Sequence, residues 1–235
     1  MITVEIAKLP IGIDNKYSYL PYIAKDHITD SEPLFTVKAS EEQIRSELAI
    51  LPEPMHEQYL EASAVFRAIG EELPLYSAVV FHGAVIALDG VAYAVTARSG
   101  VGKTTHLSLW LKEFGDRVHI LNGDKPVLRI IDGKVYACAT PWRGKEGYGV
   151  NEMLPLGGIG FIKRAKENSA VPQTPSESLF DFISQVYIPK RSDTAKLALS
   201  TVDSILKSVP LFSLYVNMER EAAKVAMNAF VYNKF

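Results

Sequence analysis

The sequence predicts one α/β domain of α+β character, carrying a small N-terminal elaboration. Three observations predict it. Two β-rich runs are joined by Asp89-Gly90, a glycine-rich loop follows the second of them and leads into a helical run, and the C-terminal half alternates strand-like and helical segments. The chain has 235 residues, 48 % apolar and 22 % charged, with a net charge of −2. That balance excludes wholesale disorder and argues against a dedicated nucleic-acid binder, which would be strongly basic. Cys138 is the sole cysteine, so an internal disulfide and a Cys-based zinc site are both excluded and a cytosolic, reducing home fits best. Residues 1–8 lack a basic segment followed by an apolar run, so no signal peptide is expected there. The longest uncharged stretch, Pro74 to Leu88, falls short of the ~18 residues of a membrane helix and reads as buried strand.

Residues 1–38 alternate apolar and polar positions in short pieces around Pro10, Gly12, Pro21 and Pro33, which predicts short strands and loops. Ser40-x-x-Gln43 has the form of a capping box and opens a short helix to about Ile50, interrupted by Pro52 and Pro54. Tyr59, Ala62, Val65, Phe66 and Ile69 recur at helical spacing within 56–72. Runs at 84–88 and 91–96 flank Asp89-Gly90, the pair favoured where a type I′ turn needs positive φ twice. A helix is expected over 105–114 with Gly115 just past its end. Strands follow at 118–121, 127–131 and 135–139, the last two joined by Asp132-Gly133. Residues 140–152 read as loop, 154–162 as strand and 163–168 as a solvated charged turn. Thr174-Pro175-x-Glu177 is a helix start. Helices over 175–187 and 192–207, a strand over 211–216 and a helix over 218–231 complete the chain.

Ala97-Arg98-Ser99-Gly100-Val101-Gly102-Lys103-Thr104 matches the phosphate-loop pattern. Small residues let consecutive backbone N–H groups converge on phosphate oxygens, and the following helix N-terminus adds positive potential. Lys103 would reach the β- and γ-phosphates and Thr104 would place its hydroxyl on Mg²⁺. A random chain of this length shows the pattern roughly once in fifty; the competing reading is a glycine-rich turn capping an ordinary helix. Because a tight hairpin feeds the preceding strand, its neighbour is expected to be antiparallel, unlike the crossover-fed strands of doubly wound nucleotide-binding folds.

Ser99 to Thr105, preceded by His82-Gly83, the Asp-Gly hairpin and a strand, resembles HPr kinase/phosphorylase and equally the phosphate loop of phosphoenolpyruvate carboxykinase. Thr140-Pro141-Trp142-x-Gly144-Lys145-Glu146 and Asn122-x-Asp124-Lys125-Pro126 resemble a compact group of bacterial HPr-kinase-like proteins. The resemblance to HPr kinase proper covers mainly 80–140. It implies a core of mixed, largely antiparallel sheets with flanking helices and the phosphate loop between strand and helix. The chain then divides into an N-terminal strand and helix elaboration over 1–75 and a nucleotide-binding core over 76–235, together one compact unit.

Carried over by position, the resemblance implies ATP phosphates on Arg98, Ser99, Gly100, Val101, Gly102, Lys103, Thr104 and Thr105. Mg²⁺ would lie on Thr104 and Asp124, and the catalytic groups would be Lys103, Asp124 and His82. HPr kinases carry an Asp-Asp pair at the acidic position, where Gly123 stands in place of the first aspartate. Either Asp124 covers both duties, or Asn122 or a neighbour contributes, or turnover is impaired. No copy of the HPr-binding C-terminal region is evident, so HPr itself is not implied as substrate. An Asp124 making only a local Asx turn beside Pro126 is the competing reading.

Arg143 and Lys145 are candidate phosphate clamps, or alternatively part of a solvated loop. Trp142, a large aromatic on a glycine-rich loop, is a candidate ligand contact. His106 is either nucleotide-facing or a core histidine, while His27, His56 and His119 read as structural. Trp110 and Cys138 read as core, and Gly157-Gly158-Ile159-Gly160 as strand packing. The function implied is an ATP- and Mg²⁺-dependent phosphotransferase acting on a hydroxyl, with a Ser of a small protein or peptide as acceptor. The alternatives are a hydroxyl-bearing metabolite as acceptor, or a nucleotide-binding regulator with little catalysis. A decarboxylating carboxykinase is disfavoured by size. A homo-oligomer is left open.

Overall fold

The structure is a computed structural model that describes residues 1–49, 55–98 and 100–232. Among the described residues, twelve strands and seven α-helices follow one another along the chain. They are β1 (Ile2–Ile6), β2 (Leu9–Ile13), α1 (Tyr19–Ile23), β3 (Phe35–Val37), α2 (Glu41–Leu48), α3 (Glu57–Glu72), β4 (Ala78–Val80), β5 (Ala84–Leu88), β6 (Val91–Thr96) and α4 (Lys103–Phe114). Then come β7 (Val118–Asn122), β8 (Val127–Ile131), β9 (Lys134–Cys138), β10 (Met153–Arg164), β11 (Ser169–Pro172), α5 (Pro175–Ile183), α6 (Ser192–Ser208), β12 (Leu211–Val216) and α7 (Glu221–Tyr232). The fold is mixed α/β, with mixed sheets and flanking helices.

Local chemistry accounts for the punctuation. Both capping boxes form: Ser40 with Gln43 opens α2, and Thr174 with Glu177 opens α5. Asp89 and Gly90 have φ of 50° and 79°, Asp132 and Gly133 of 49° and 75°, the double positive φ of a type I′ turn. The Ile50, Pro52 and Pro54 readings lie outside the described residues.

The large sheet runs β4-β8-β9-β10-β6-β5-β7, with β12 joining at β10 and β11 at β12. β6 pairs antiparallel with β5, as its tight turn requires, and parallel with β10 on its other side. β10 is the long element that joins the two halves. Its start pairs antiparallel with β9 and its later residues lie parallel between β6 and β12. Alternation along β6 divides the core. Ala92 and Ala94 face a cluster built with α5 and α6, while Tyr93 and Val95 face one built with α4 and α7. A Cβ at Gly158 or Gly160 would stand 2.8 Å from the Phe230 ring or 2.4 Å from Leu214, so those glycines let α7 lie close on the sheet.

The N-terminal sheet, β1-β2-β3, and α3 form a third apolar cluster with Ala78, Val80, Val127 and Cys138 of β4, β8 and β9. One expectation is corrected. Residues 163–168 are not simply a solvated turn, because Lys163 and Arg164 still belong to β10 and Lys163 lies 3.5 Å from Asp181. The following segment, to which the sequence reading assigned no element, is β11, a four-residue, largely exposed strand paired with β12.

Candidate functional site

The loop that matches the phosphate pattern leaves the end of β6 and enters α4 at Lys103. Gly100 and Gly102 take φ of 77° and 123°, a region closed to most side chains. Among the described residues no side chain caps α4 at Gly102, which leaves the amides of its first turn without a side-chain cap there. Lys103 Nζ donates to the Ala97 carbonyl at 3.1 Å, folding the ammonium back over the loop. Burial lowers the Lys103 pKa, the nearby Asp124 carboxylate opposes that shift and Lys125 adds to it. Arg98 and Thr104 are exposed, and Val101 and Thr105 half-buried. Ser99 lies outside the described residues.

Asp124 is placed by a turn rather than by a strand. Asn122, fully buried at the end of β7, accepts from the backbone N–H of Asp124 at 3.0 Å and of Lys125 at 2.8 Å. Its amide donates to the carbonyl and hydroxyl of Thr140, and Thr140 Oγ1 donates to the Lys125 carbonyl at 2.7 Å. The Asx turn is therefore made by Asn122, which frees the Asp124 carboxylate to point elsewhere. Asn122 is saturated by these bonds and holds the turn.

His82 sits between β4 and β5. Its backbone N–H donates to the Gln185 carbonyl, its carbonyl accepts from Thr96 Oγ1 at 2.8 Å, and Gly83 N–H donates to the Asp124 carbonyl at 3.0 Å. These bonds bring His82 Nε2 to 3.4 Å from Asp124 Oδ1, while Lys125 Nζ lies 2.8 Å from Oδ2. Burial would raise the Asp124 pKa, but the bond from His82 and the Lys125 ammonium outweigh it and hold the carboxyl at about 2. The structure thus brings His82, Asp124 and the loop lysine Lys103 together with Lys125, a group the sequence reading gave no role.

A cleft of about 660 Å³ opens from Asp124 between the core and the N-terminal layer, lined among others by Tyr19, Tyr22, Tyr59, Trp142 and Lys145. Trp142, Arg143 and Lys145 all line this cleft, and the first two are also bonded within the protein. Arg143, 19 % exposed, donates to Asp26 at 3.1 Å, and the Trp142 indole donates to the Ala62 carbonyl and packs on Phe66. Lys145 is exposed. His106 is buried and accepts from Trp110 Nε1 at 3.0 Å; burial lowers its pKa to about 4. Arg164 was missed by sequence reasoning. From the end of β10 it donates to the carbonyls of Gly100 and Val101, and its signal was a cation closing a strand parallel to β6. Among the described residues no cluster of three or more His, Cys, Asp or Glu side chains could hold a metal by itself, and no helix is long and apolar enough to cross a membrane.

Gly123 has a steric reason. A Cβ there would stand 3.0 Å from the Arg143 carbonyl and 3.3 Å from Tyr148, because the 143–149 loop packs on this turn and Tyr148 accepts from Gly123 N–H.

No family model matches the chain, and no curated protein matches it. Among solved structures, the chain is similar to the Hpr(Ser) kinase/phosphatase from Coxiella burnetii, with 9 % identity over 63 % of this chain and 88 % of that one, at a TM-score of 0.37. Likeness at that level assigns neither an activity nor a family.

Proposed function

We propose that the protein is an ATP-dependent phosphotransferase that moves the γ-phosphoryl group to a hydroxyl, with a Ser of a small protein or peptide as acceptor. The observation that carries this reading is the Asp124 carboxylate, kept ionised between His82 and Lys125 beside the loop lysine Lys103, at one end of an open cleft. Lys103 and the amides of the loop and of the first turn of α4 would hold the phosphates. The Thr104 hydroxyl and the Asp124 carboxylate are hard oxygen donors of the kind Mg²⁺ takes, so these residues fit the ion. Mg²⁺, when bound, neutralises charge on the β- and γ-phosphates. The acceptor hydroxyl enters by the cleft and donates to Asp124 as its oxygen bonds to phosphorus, the bond to the β-phosphate oxygen breaks and the hydroxyl proton is released. A carboxyl at about 2 is a weak base, so Asp124 orients the hydroxyl rather than stripping it beforehand, which suffices for a loose transition state.

The test is transfer from γ-labelled ATP with Mg²⁺ to acceptors in extract of the producing cells. A labelled acceptor that disappears with Lys103→Ala is the expected result. Failure of the natural protein to bind ATP refutes it. The second reading, a nucleotide-binding regulator with little turnover, is favoured by Gly123. Tight ATP binding with no transfer would select it. Gly123→Asp is informative only beside Gly123→Ala, which imposes the same crowding on Arg143 and Tyr148 without the carboxylate.

A further inference from the structure

A second cavity, about 410 Å³, lies on the far side of the candidate phosphate loop from Asp124. Its walls include Gly102 and His106 from the start of α4, Arg164 from β10, and Val216 and Met218 at the end of β12. The sheet order fixes which part of a nucleotide could reach it. Asp124 follows β7 and His82 precedes β5, whereas β10 and β12 lie on the other side of β6. A phosphate chain with its terminal group toward Lys103 and Asp124 therefore runs toward β10 and β12. Those two strands and β6 are parallel, and the cavity opens at their carboxyl ends, where parallel sheets present ligand crevices.

His106 supplies an independent observation. It is 2 % exposed, and Trp110 Nε1–H donates to its Nε2 at 3.0 Å. An accepting Nε2 carries no proton, so the proton of the ring is on Nδ1. Nδ1 is buried and has no partner among the described residues. Buried donors are almost always paired, and this one belongs to a residue that lines an open cavity.

We propose that this cavity takes the nucleoside of the bound nucleotide, with His106 Nδ1–H donating to an acceptor atom on its base or sugar. The inference rests on the phosphate-loop reading and adds to it the site of nucleoside selection. Arg164 ties the cavity floor to the loop through Gly100 and Val101, and Met218, 78 % exposed at the rim, offers a flexible thioether to pack on a ring.

The experiment is calorimetric titration, with Mg²⁺ present, of ATP and separately of tripolyphosphate into the full chain, His106→Phe and Ala165→Phe. Ala165 lines the same cavity, so its enlargement fills the space while leaving the His106–Trp110 bond in place, which covers the case in which His106→Phe does not fold. Weakening of ATP by about tenfold in either variant, with tripolyphosphate affinity unchanged, is the expected result. Unchanged ATP affinity in the folded variants, or an equal loss for both ligands, overturns the nucleoside site while the phosphate loop stands. A natural protein that binds neither ligand overturns the phosphate-loop reading and this inference with it.

Discussion

Replacing Asp124 by Asn keeps the shape of the side chain and removes its charge, which separates the electrostatics of the site from its packing. The carboxyl is held at about 2 against an ordinary 3.8, and its side chain is 28 % exposed. That shift corresponds to about 2 kcal/mol of stability at neutral pH that the ionised group contributes and the amide cannot. Because the folded-state value is the depressed one, the contribution is present above the unfolded value of 3.8 and is lost as pH falls through about 2. By pH 3 about half of it remains. Urea unfolding of the natural protein and Asp124→Asn should therefore differ by about 2 kcal/mol at pH 7 and about half that at pH 3. A gap that stays constant between those pH values would show that the loss comes from packing or from the amide's own hydrogen bonds, and would refute the ion-pair account. In the labelled-ATP assay the same variant should lose at least about 10²-fold in transfer, since the acceptor hydroxyl loses its charged partner.

Asn122→Ala removes an acceptor for the Asp124 and Lys125 amides and a donor to Thr140. It should cost about 2–4 kcal/mol in urea unfolding and lower transfer even where the variant is fully folded. Arg164→Ala removes an exposed side chain that clasps the loop; stability should move by less than about 0.5 kcal/mol, while ATP binds about three- to tenfold more weakly by calorimetry. Burial pushes the Cys138 thiol up to about 12, so the native protein should resist a thiol-specific chromogenic disulfide at pH 8 and react with one equivalent once unfolded in urea.

The parts of the fold that were legible in the sequence are those written in local chemistry. The Asp-Gly pairs announced two hairpins because few residues tolerate positive φ twice in succession, and Ser40, Thr174 and their partners at N3 announced two helix starts. What escaped depends on non-local pairing. β11 is only four residues long and largely exposed, and is a strand because β12 lies beside it. Helix α1 is five residues long and follows from the packing of Leu20 into the N-terminal cluster rather than from any periodicity. At the site, the loop pattern and the Asn122-x-Asp124 run marked segments that lie together in the structure, yet the partners of their side chains were hidden. That Asn122 makes the turn while Asp124 faces His82 and Lys125, and that Arg143 pairs with Asp26, are facts of three-dimensional neighbourhood.

The N-terminal layer bears on the chemistry through the 140–151 segment. That segment is held to the layer by the Trp142 indole on the Ala62 carbonyl, by Arg143 on Asp26 and by the Asn151 amide on the Asp26 carbonyl. Its other face backs the Asn122–Lys125 turn: Thr140 holds Asn122 and Lys125, Tyr148 accepts from Gly123, and Gly144, at a φ of 78°, would bring a Cβ to 3.0 Å from Asp124. One run of contacts therefore leads from the cleft wall, through a loop short of side chains at 144, 147 and 149, to the carboxylate. On the proposed reading, an acceptor that fills the cleft meets Trp142 and the tyrosines of the N-terminal layer, and Trp142 belongs to the segment that backs the Asp124 turn. In this arrangement the N-terminal layer is a wall of the cleft, and glycine at 123 spares the turn the 3.0 Å contact that a Cβ would make with the Arg143 carbonyl.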